Sequence, residues 1–553
     1  MVALINWGIS FLHFLLAFVI ILVPLVVFHE FGHFVFARIF GVKAEIFSVG
    51  FGPRLWSRQM GETEFRISAI PMGGYVKLLG EDKESGLSEE ELKRSLHAQA
   101  PWKRFFIFFG GPLFNFLLAI FIFMVILVVG EPQMSSVIGR VVHNSAAAKA
   151  GFTSGDRVLA INDKPVKRFE EIILALNENP EKPLDFQVRH PHSEKIDLIR
   201  VVTSSQSGFS IYGESTSVGE IEGILPAARA NQIGISNPRS LAGMAGMETG
   251  DKLVEFSGRL ISSWEDVDDL YAKLPPNTKF TLQFQSTRTG KLQNLSWEKP
   301  SDSSSLGQVF GLHSSELFVE KTVAQSPAEG AGVKAGDRLI GVGDQDVQSF
   351  FELKDAVQRS GEKEGRVLLR WERQGQKFSA AIVPTATSGR DPVLNKTTQY
   401  TVGVIPLLTL ADPDTFVERV WNPFKLIPMA TERMIVFSWR NFVSLKKMFT
   451  GDVSVGSLGG PIMIGKIAGE SLTRGLVAFL TNMAIFSIGL GVLNVLPVPV
   501  LDGGHLLLLG VEMVRGKPLT LRQMEVLQGV GLVFILTLMG IAFHNDIARL
   551  FFS

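Results

Sequence analysis

Five consecutive residues, His29-Glu30-Phe31-Gly32-His33, carry the sharpest chemical signal in the chain. They follow a long apolar run, which predicts a helix, and on a helix positions i and i+4 share a face. Both imidazoles can then reach one divalent ion, while Glu30, one step round, approaches a water held there and can act as general base. The chain has no cysteine, so thiolate ligands, disulfides and a cysteine nucleophile are excluded together, and any metal must use histidine and carboxylate. A charged group near the centre of an apolar span costs about 2.5–3.5 kcal/mol on insertion scales, so Glu30 needs a compensating partner, and a cation is one. The alternative is that these polar groups only hydrogen-bond neighbouring helices.

A second cluster stands near the other end: Asn494-Val495-Leu496-Pro497-Val498-Pro499-Val500-Leu501-Asp502-Gly503-Gly504-His505. A catalytic zinc commonly takes three protein ligands and a water, and Asp502 can complete a set of two histidines and one carboxylate around one Zn2+ ion. His505, three residues on, is a rival ligand. Pro497 and Pro499 cannot sustain a regular helix, and broken backbone at membrane depth is tolerated where it lines a cavity in protein. His13 and His544 read as interfacial residues, and His97, His143, His190, His192 and His313 fall outside the apolar stretches and receive no role.

The elements that must position these residues are apolar. Mean hydropathy is +0.23 over 553 residues, with 42 Phe, which for so long a chain points to membrane spans. About 20 residues suffice to cross a bilayer, and four stretches qualify: about Phe11 to Phe40, Phe105 to Val129, Val477 to Leu501 and, marginally, Val526 to Phe543. Lys+Arg and Asp+Glu both number 54, and this balance argues against a nucleic-acid partner. The 11 Lys and Arg between Arg38 and Arg104, against none before Phe11, place that loop in the cytoplasm. The roughly 300 polar residues from Glu131 to Trp421 then face the other side. Trp421 to Phe449 mixes apolar and charged residues and is expected to lie along the membrane surface.

Within the polar region a pattern recurs: Ala150-Gly151 to Gly155-Asp156, Ala245-Gly246 to Gly250-Asp251, and Ala331-Gly332 to Gly336-Asp337, each running into an apolar segment. The copies begin 95 and 86 residues apart, room for one small domain each. Asn144-Ser145-Ala146 and Ser326-Pro327-Ala328 extend the first and third copies; the middle one lacks an evident counterpart. The repeats resemble PDZ domains, a likeness that implies grooves for peptide termini. The expected organisation is a polytopic α-helical membrane protein with tandem PDZ-like α/β domains outside the membrane. Residues 1–130 hold the first two spans, 131–215, 216–305 and 306–410 the three PDZ-like modules, 411–470 the surface segment, and 471–553 the last two spans.

Taken together, the two clusters resemble the site-2 protease family, a likeness that extends to Gly50-Phe51-Gly52-Pro53, Pro71-Met72-Gly73-Gly74-Tyr75-Val76-Lys77, Gly110-Gly111-Pro112-Leu113-Phe114-Asn115 and Gly459-Gly460-Pro461-Ile462. The resemblance implies an intramembrane zinc endopeptidase of the bacterial inner membrane with its PDZ-like region in the periplasm. Its substrates would be single-span membrane proteins already trimmed outside, anti-sigma factors and remnant signal peptides among them. It assigns zinc ligation to His29, His33 and Asp502, general base to Glu30, and substrate positioning to Asn494, Pro497 and Pro499. It also implies a re-entrant β-hairpin at about Glu64 to Leu79, whose Tyr75, Val76 and Lys77 would pair with an unwound substrate strand. Relatives typically carry two PDZ domains where this chain shows three copies. A membrane scaffold that binds protein tails without catalysis, or a metal transporter, would use the same residues differently.

Overall fold

The computed structural model of the chain describes residues 2–80, 88–191, 193–210, 212–302, 305–390, 396–453, 456, 458–517 and 520–552, with side chains in the first helix described from residue 16. His192 and the side chain of His13 lie outside the described residues. The chain forms two units: one comprises Met1–Glu131, Ile211–Glu214 and Val417–Ser553, the other Pro132–Ser210 and Ser215–Phe416.

The first unit is built on helices α1 (Val2–Ile39), α2 (Pro101–Val129), α3 (Pro423–Thr450), α4 (Pro461–Arg474), α5 (Leu476–Val495), α6 (Asp502–Arg515) and α7 (Leu521–Phe552). Among the described residues, four of these helices contain segments long and apolar enough to cross a membrane: Leu16–Ile39, Pro101–Val129, Leu476–Val495 and Arg522–Arg549. The fourth, marginal by sequence, is the better part of a 32-residue helix. Ile21, Leu25, Ile122, Phe123, Ile126 and Ile488 form the common core of α1, α2 and α5. Met429, Met434 and Phe437 of α3 pack against that core, while Phe424, Trp439 and Phe442 on the same helix stay exposed. The expected single segment 411–470 is thus split between α3 and α4.

What starts α4 is a residue from the far end of the chain. Helix N-termini leave amides unpaired. Here the buried Asp546 carboxylate of α7 accepts from the backbone N–H of Gly460, Ile462 and Met463 at 2.9, 3.0 and 3.1 Å. An acidic side chain inside an apolar helix is thereby satisfied, and the Gly-Gly-Pro sequence gives its oxygens room to approach.

Between α1 and α2 lies a hairpin of β1 (Ala44–Met60) and β2 (Thr63–Leu78). It begins 20 residues before the expected Glu64. The alternating pattern that marks a strand is interrupted there by Gly50 and Gly52, both at positive φ (91° and 85°), which bend β1 where a residue with Cβ would be strained. The bend folds the hairpin on itself: Phe47 pairs with both Val76 and Phe65, Ser48 with both Tyr75 and Arg66, and Val49 with both Gly74 and Ile67.

The second unit contains three four-stranded sheets of one topology. Their long strands are Arg157–Ile161, Pro183–Arg189 and Ile196–Val202; Lys252–Phe256, Lys279–Gln285 and Leu292–Glu298; and Arg338–Val342, Val367–Arg373 and Gln376–Ile382. Each sheet has its own apolar core and a helix after its first two strands. The repeated Gly-Asp has a physical reason. Asp156, Asp251 and Asp337 are fully buried, and each carboxylate accepts from the backbone N–H three residues earlier, at 2.7, 2.9 and 2.8 Å. The preceding glycines sit at φ 87°, 102° and 86°. The middle copy also has the capping serine. Ser145, Ser240 and Ser326, each ten residues before its Gly, cap short helices whose Ala147, Ala242 and Ala328 are wholly buried. Glu316 ties the sheets together: it holds Arg140 through two oxygens at 2.8 and 3.0 Å and accepts from the Phe350 amide at 3.0 Å.

His313 in this unit is held neutral. Burial, and then the neighbouring Arg338 charge, push its pKa down to about 3. The unfolded chain, with a histidine near the usual value of about 6.5, therefore takes up the proton first as pH falls. The stabilising contribution is whole above about pH 6.5 and is lost progressively between there and about 3. Hydrogen exchange of the full-length protein, corrected for intrinsic rates, is expected to show faster opening around residues 305–318 at pH 5 than at pH 7.5. His313→Asn should remove that difference; equal pH sensitivity in the variant would refute the assignment.

Candidate metal centre

Donor atoms from the two ends of the chain meet in the helical unit. His29 and His33 lie one turn apart on α1, and Asp502 opens α6. His29 Nε2 is 3.1 Å from Asp502 Oδ2, His33 Nε2 is 3.5 Å from Asp502 Oδ1, and the two Nε2 atoms are 3.3 Å apart. Ligands bonded at about 2.0–2.1 Å to a tetrahedral zinc stand about 3.3 Å from one another, so the residues fit that ion. Among the described residues Asp502 Oδ2 is buried without a hydrogen-bond partner, a costly arrangement for a carboxylate oxygen unless a cation shares the site. Among the described residues, these three form the only group of His, Asp and Glu with convergent donor atoms.

Glycines bring the helices close enough. A Cβ on Gly32 of α1 would collide with the Gly110 carbonyl oxygen of α2, and one on Gly110 would lie 2.6 Å from the Gly32 oxygen. Gly111 faces the imidazoles themselves: its Cβ would overlap His33 Nε2 and sit 2.7 Å from His29 Cε1. The outer nitrogens of the rings also have partners on α2. His33 Nδ1 lies 2.8 Å from the Ile107 carbonyl oxygen, which fixes that nitrogen as the donor and leaves Nε2 free to bind. His29 Nδ1 lies 3.0 Å from the side-chain amide of Asn115. Sequence reasoning gave Asn115 no role, although it is the one polar side chain in α2 beyond Arg104.

Asp502 is delivered by a break in the helix. The third span was expected to continue to Leu501; α5 instead ends at Val495, because Pro497 removes a backbone donor and disfavours helical geometry in Leu496, which lies at φ −60°, ψ 142°. Val500, in the same loop, has φ 89°, strained for a β-branched residue at a cost of about 1–3 kcal/mol. Gly503 and Gly504 let α6 start hard against this loop, since a Cβ on Gly503 would overlap the Leu496 carbonyl oxygen and one on Gly504 would lie 2.5 Å from that of Val498. Asp502 therefore opens a new helix rather than closing the span.

The other anticipated residues distribute unequally. Asn494 reaches the centre, with Nδ2 3.4 Å from His29 Nε2. Pro497 and Pro499 shape the loop, and Pro499 is the contact of Gly531 on α7. His505 does not join: its ring stacks on Phe108, with centroids 4.6 Å apart and planes 6° from parallel. Glu30 faces β2. A Cβ on Gly74 would lie 3.1 Å from Glu30 Cγ, and the Val76 backbone N–H faces the Glu30 carboxylate. Tyr75 stacks on Phe51, and Lys77 pairs with Ile46 in the ladder. His190 bonds the buried Asp156 at 2.7 Å within the first sheet module, a structural contact.

Residues 17–538 match the profile of Peptidase family M50. The chain is 30% identical over 547 residues to a Neisseria meningitidis protein named as a zinc metalloprotease, covering 98% of this chain and 100% of that one. It is 29% identical to the regulator of sigma E protease of Haemophilus influenzae and 28% identical to regulator of sigma-E protease RseP of Escherichia coli, with the same coverage in each.

Proposed function

The chain belongs to peptidase family M50, and on that premise we propose that His29, His33 and Asp502 hold its zinc, that Glu30 is the general base, and that the bond it cuts lies within the span of a membrane protein. It is a zinc metalloprotease of the site-2 type and a membrane protein, which sets aside the non-catalytic scaffold and the transporter. The observation that carries the residue assignment is the meeting of three ligating side chains, their donor atoms 3.1–3.5 Å apart, with one carboxylate oxygen otherwise unpartnered among the described residues.

Zinc, when bound, supplies a Lewis acid that acidifies water and polarises a carbonyl. Glu30 takes the proton of the attacking water and returns it to the leaving amide nitrogen. The Asn494 side-chain amide, beside His29, donates to the oxygen on which negative charge develops. Pro497 and Pro499 hold the loop open for the substrate backbone.

A helical span hides its peptide groups in its own hydrogen bonds, so it must unwind to be cut. Tyr75, Val76 and Lys77 run beside Glu30, and a substrate strand drawn along them brings its carbonyl to the base. The hairpin enters the bilayer from the cytoplasmic side: Leu55, Trp56, Ile67 and Ile70 are exposed apolar residues suited to lipid. Trp439 of α3 and Trp421 just before that helix are exposed aromatic residues that suit the membrane interface.

The loop rich in Lys and Arg faces the cytoplasm of a bacterial inner membrane, and the three sheet modules face the periplasm. They are PDZ-like, with grooves for peptide termini, and they hinder substrates that still carry bulky outside domains. The substrates are single-span proteins trimmed beforehand, anti-sigma factors and remnant signal peptides, in keeping with the sigma-E regulator names of the relatives.

Purified protein reconstituted with a single-span reporter tests this reading. Cleavage should fall inside the span, stop with a zinc chelator and resume with added zinc. Cuts confined to the soluble flanks would refute it.

A further inference from the structure

Of the two imidazoles at the centre, only His33 has an outer partner whose chemistry is fixed, the Ile107 carbonyl oxygen. The outer partner of His29 is Asn115, whose side chain is completely buried. Its amide group can present either a nitrogen, which donates, or an oxygen, which accepts, and the two ends are interchanged by a half-turn of the amide. In the structure Nδ2 lies 3.0 Å from His29 Nδ1, and Asn115 Oδ1 is buried with no hydrogen-bond partner among the described residues. That arrangement does not suit a zinc ligand. It leaves an orphaned acceptor, and it requires the lone pair of His29 to lie on Nδ1, which puts the proton on Nε2, the atom facing Asp502 and His33.

A half-turn of the amide removes the tautomer conflict. Oδ1 then accepts from His29 Nδ1–H, and Nε2 carries the lone pair toward the donor cluster. We infer that Asn115 is a positioning residue that selects, through its side-chain oxygen, the His29 tautomer able to bind zinc. The inference rests on the proposed ligand role of His29. Asn115 is itself fixed from the other side, because Ser487 Oγ on α5 donates to the Asn115 backbone carbonyl at 2.8 Å, linking the third span to the ring it orients. The arrangement repeats the service that Ile107 gives His33, with a side chain in place of backbone.

The test is zinc affinity by chelator competition on the purified full-length protein, a readout independent of turnover. Asn115→Leu keeps the volume without an acceptor and should weaken zinc binding about 10- to 100-fold. Asn115→Asp has acceptors only and should retain affinity within about ten-fold of the native protein. A role in packing alone predicts the reverse order, since a buried carboxylate would disturb the helices more than leucine. Native affinity in Asn115→Leu, or a loss in Asn115→Asp at least as large as in Asn115→Leu, overturns the inference. His29→Ala separates this from the underlying reading: if it too holds zinc as the native protein does, the ligand assignment itself has failed.

Discussion

Replacing Glu30 by glutamine is expected to lower cleavage of a spanning reporter by about 10²- to 10⁴-fold while leaving one zinc per chain, the range that loss of a general base commonly brings. Glutamine has the same shape, and its side-chain oxygen can still face the Val76 amide, so the helix and hairpin should keep their positions. What it cannot do is hold the proton taken from water. Reporter cleavage and metal content are measured on the same preparation. A variant that turns over at the native rate would remove Glu30 from the reaction, and one that loses its zinc would make Glu30 a binding residue.

Gly111→Ala is expected to disable the centre without touching any donor. The added methyl overlaps His33 Nε2 and comes within 2.7 Å of His29 Cε1, so both rings must move. Overpacking of this kind costs about 1–3 kcal/mol. If that strain falls on the metal-competent geometry, it corresponds to about 5- to 150-fold in zinc affinity. Gly489→Ala on α5 is the control, because its Cβ would meet nothing within 4 Å. Unchanged zinc affinity in Gly111→Ala would mean that the two imidazoles do not need the placement described for them.

How far the sequence anticipates this arrangement depends on whether the deciding interaction is local. The spans are legible because about 20 apolar residues are a requirement of the bilayer itself. Their ends are less so: Pro497 stops α5 at Val495, six residues short of the expected Leu501, although the proline stood in plain view. The hairpin start was hidden by Gly50 and Gly52, which interrupt the alternation at the point where β1 bends. In the middle sheet module, Ser240 answers Ser145 and Ser326, but the residues around it differ enough to conceal the match.

The centre shows the same division. His29, His33 and Asp502 were legible as residue types that ligate zinc, and the structure brings their donor atoms together. That His505 turns away to stack on Phe108 follows from the path of α6, which no spacing rule gives. Asn115 left a usable signal, a lone amide in a run of apolar residues, yet its partner is 86 residues away and visible only once the helices are packed. Asp546, an acid inside the fourth span, is a similar case: its three amide partners lie at the start of α4.

The most direct measurement is zinc X-ray absorption on the purified full-length enzyme beside Asp502→Ala. The native protein should hold one zinc with two imidazole nitrogens and a carboxylate oxygen at about 2.0–2.2 Å. The variant should have lost the ion or exchanged that oxygen for solvent, with a marked fall in affinity. An Asp502→Ala protein whose zinc spectrum and affinity match the native ones would contradict the joining of the two ends of the chain at one metal.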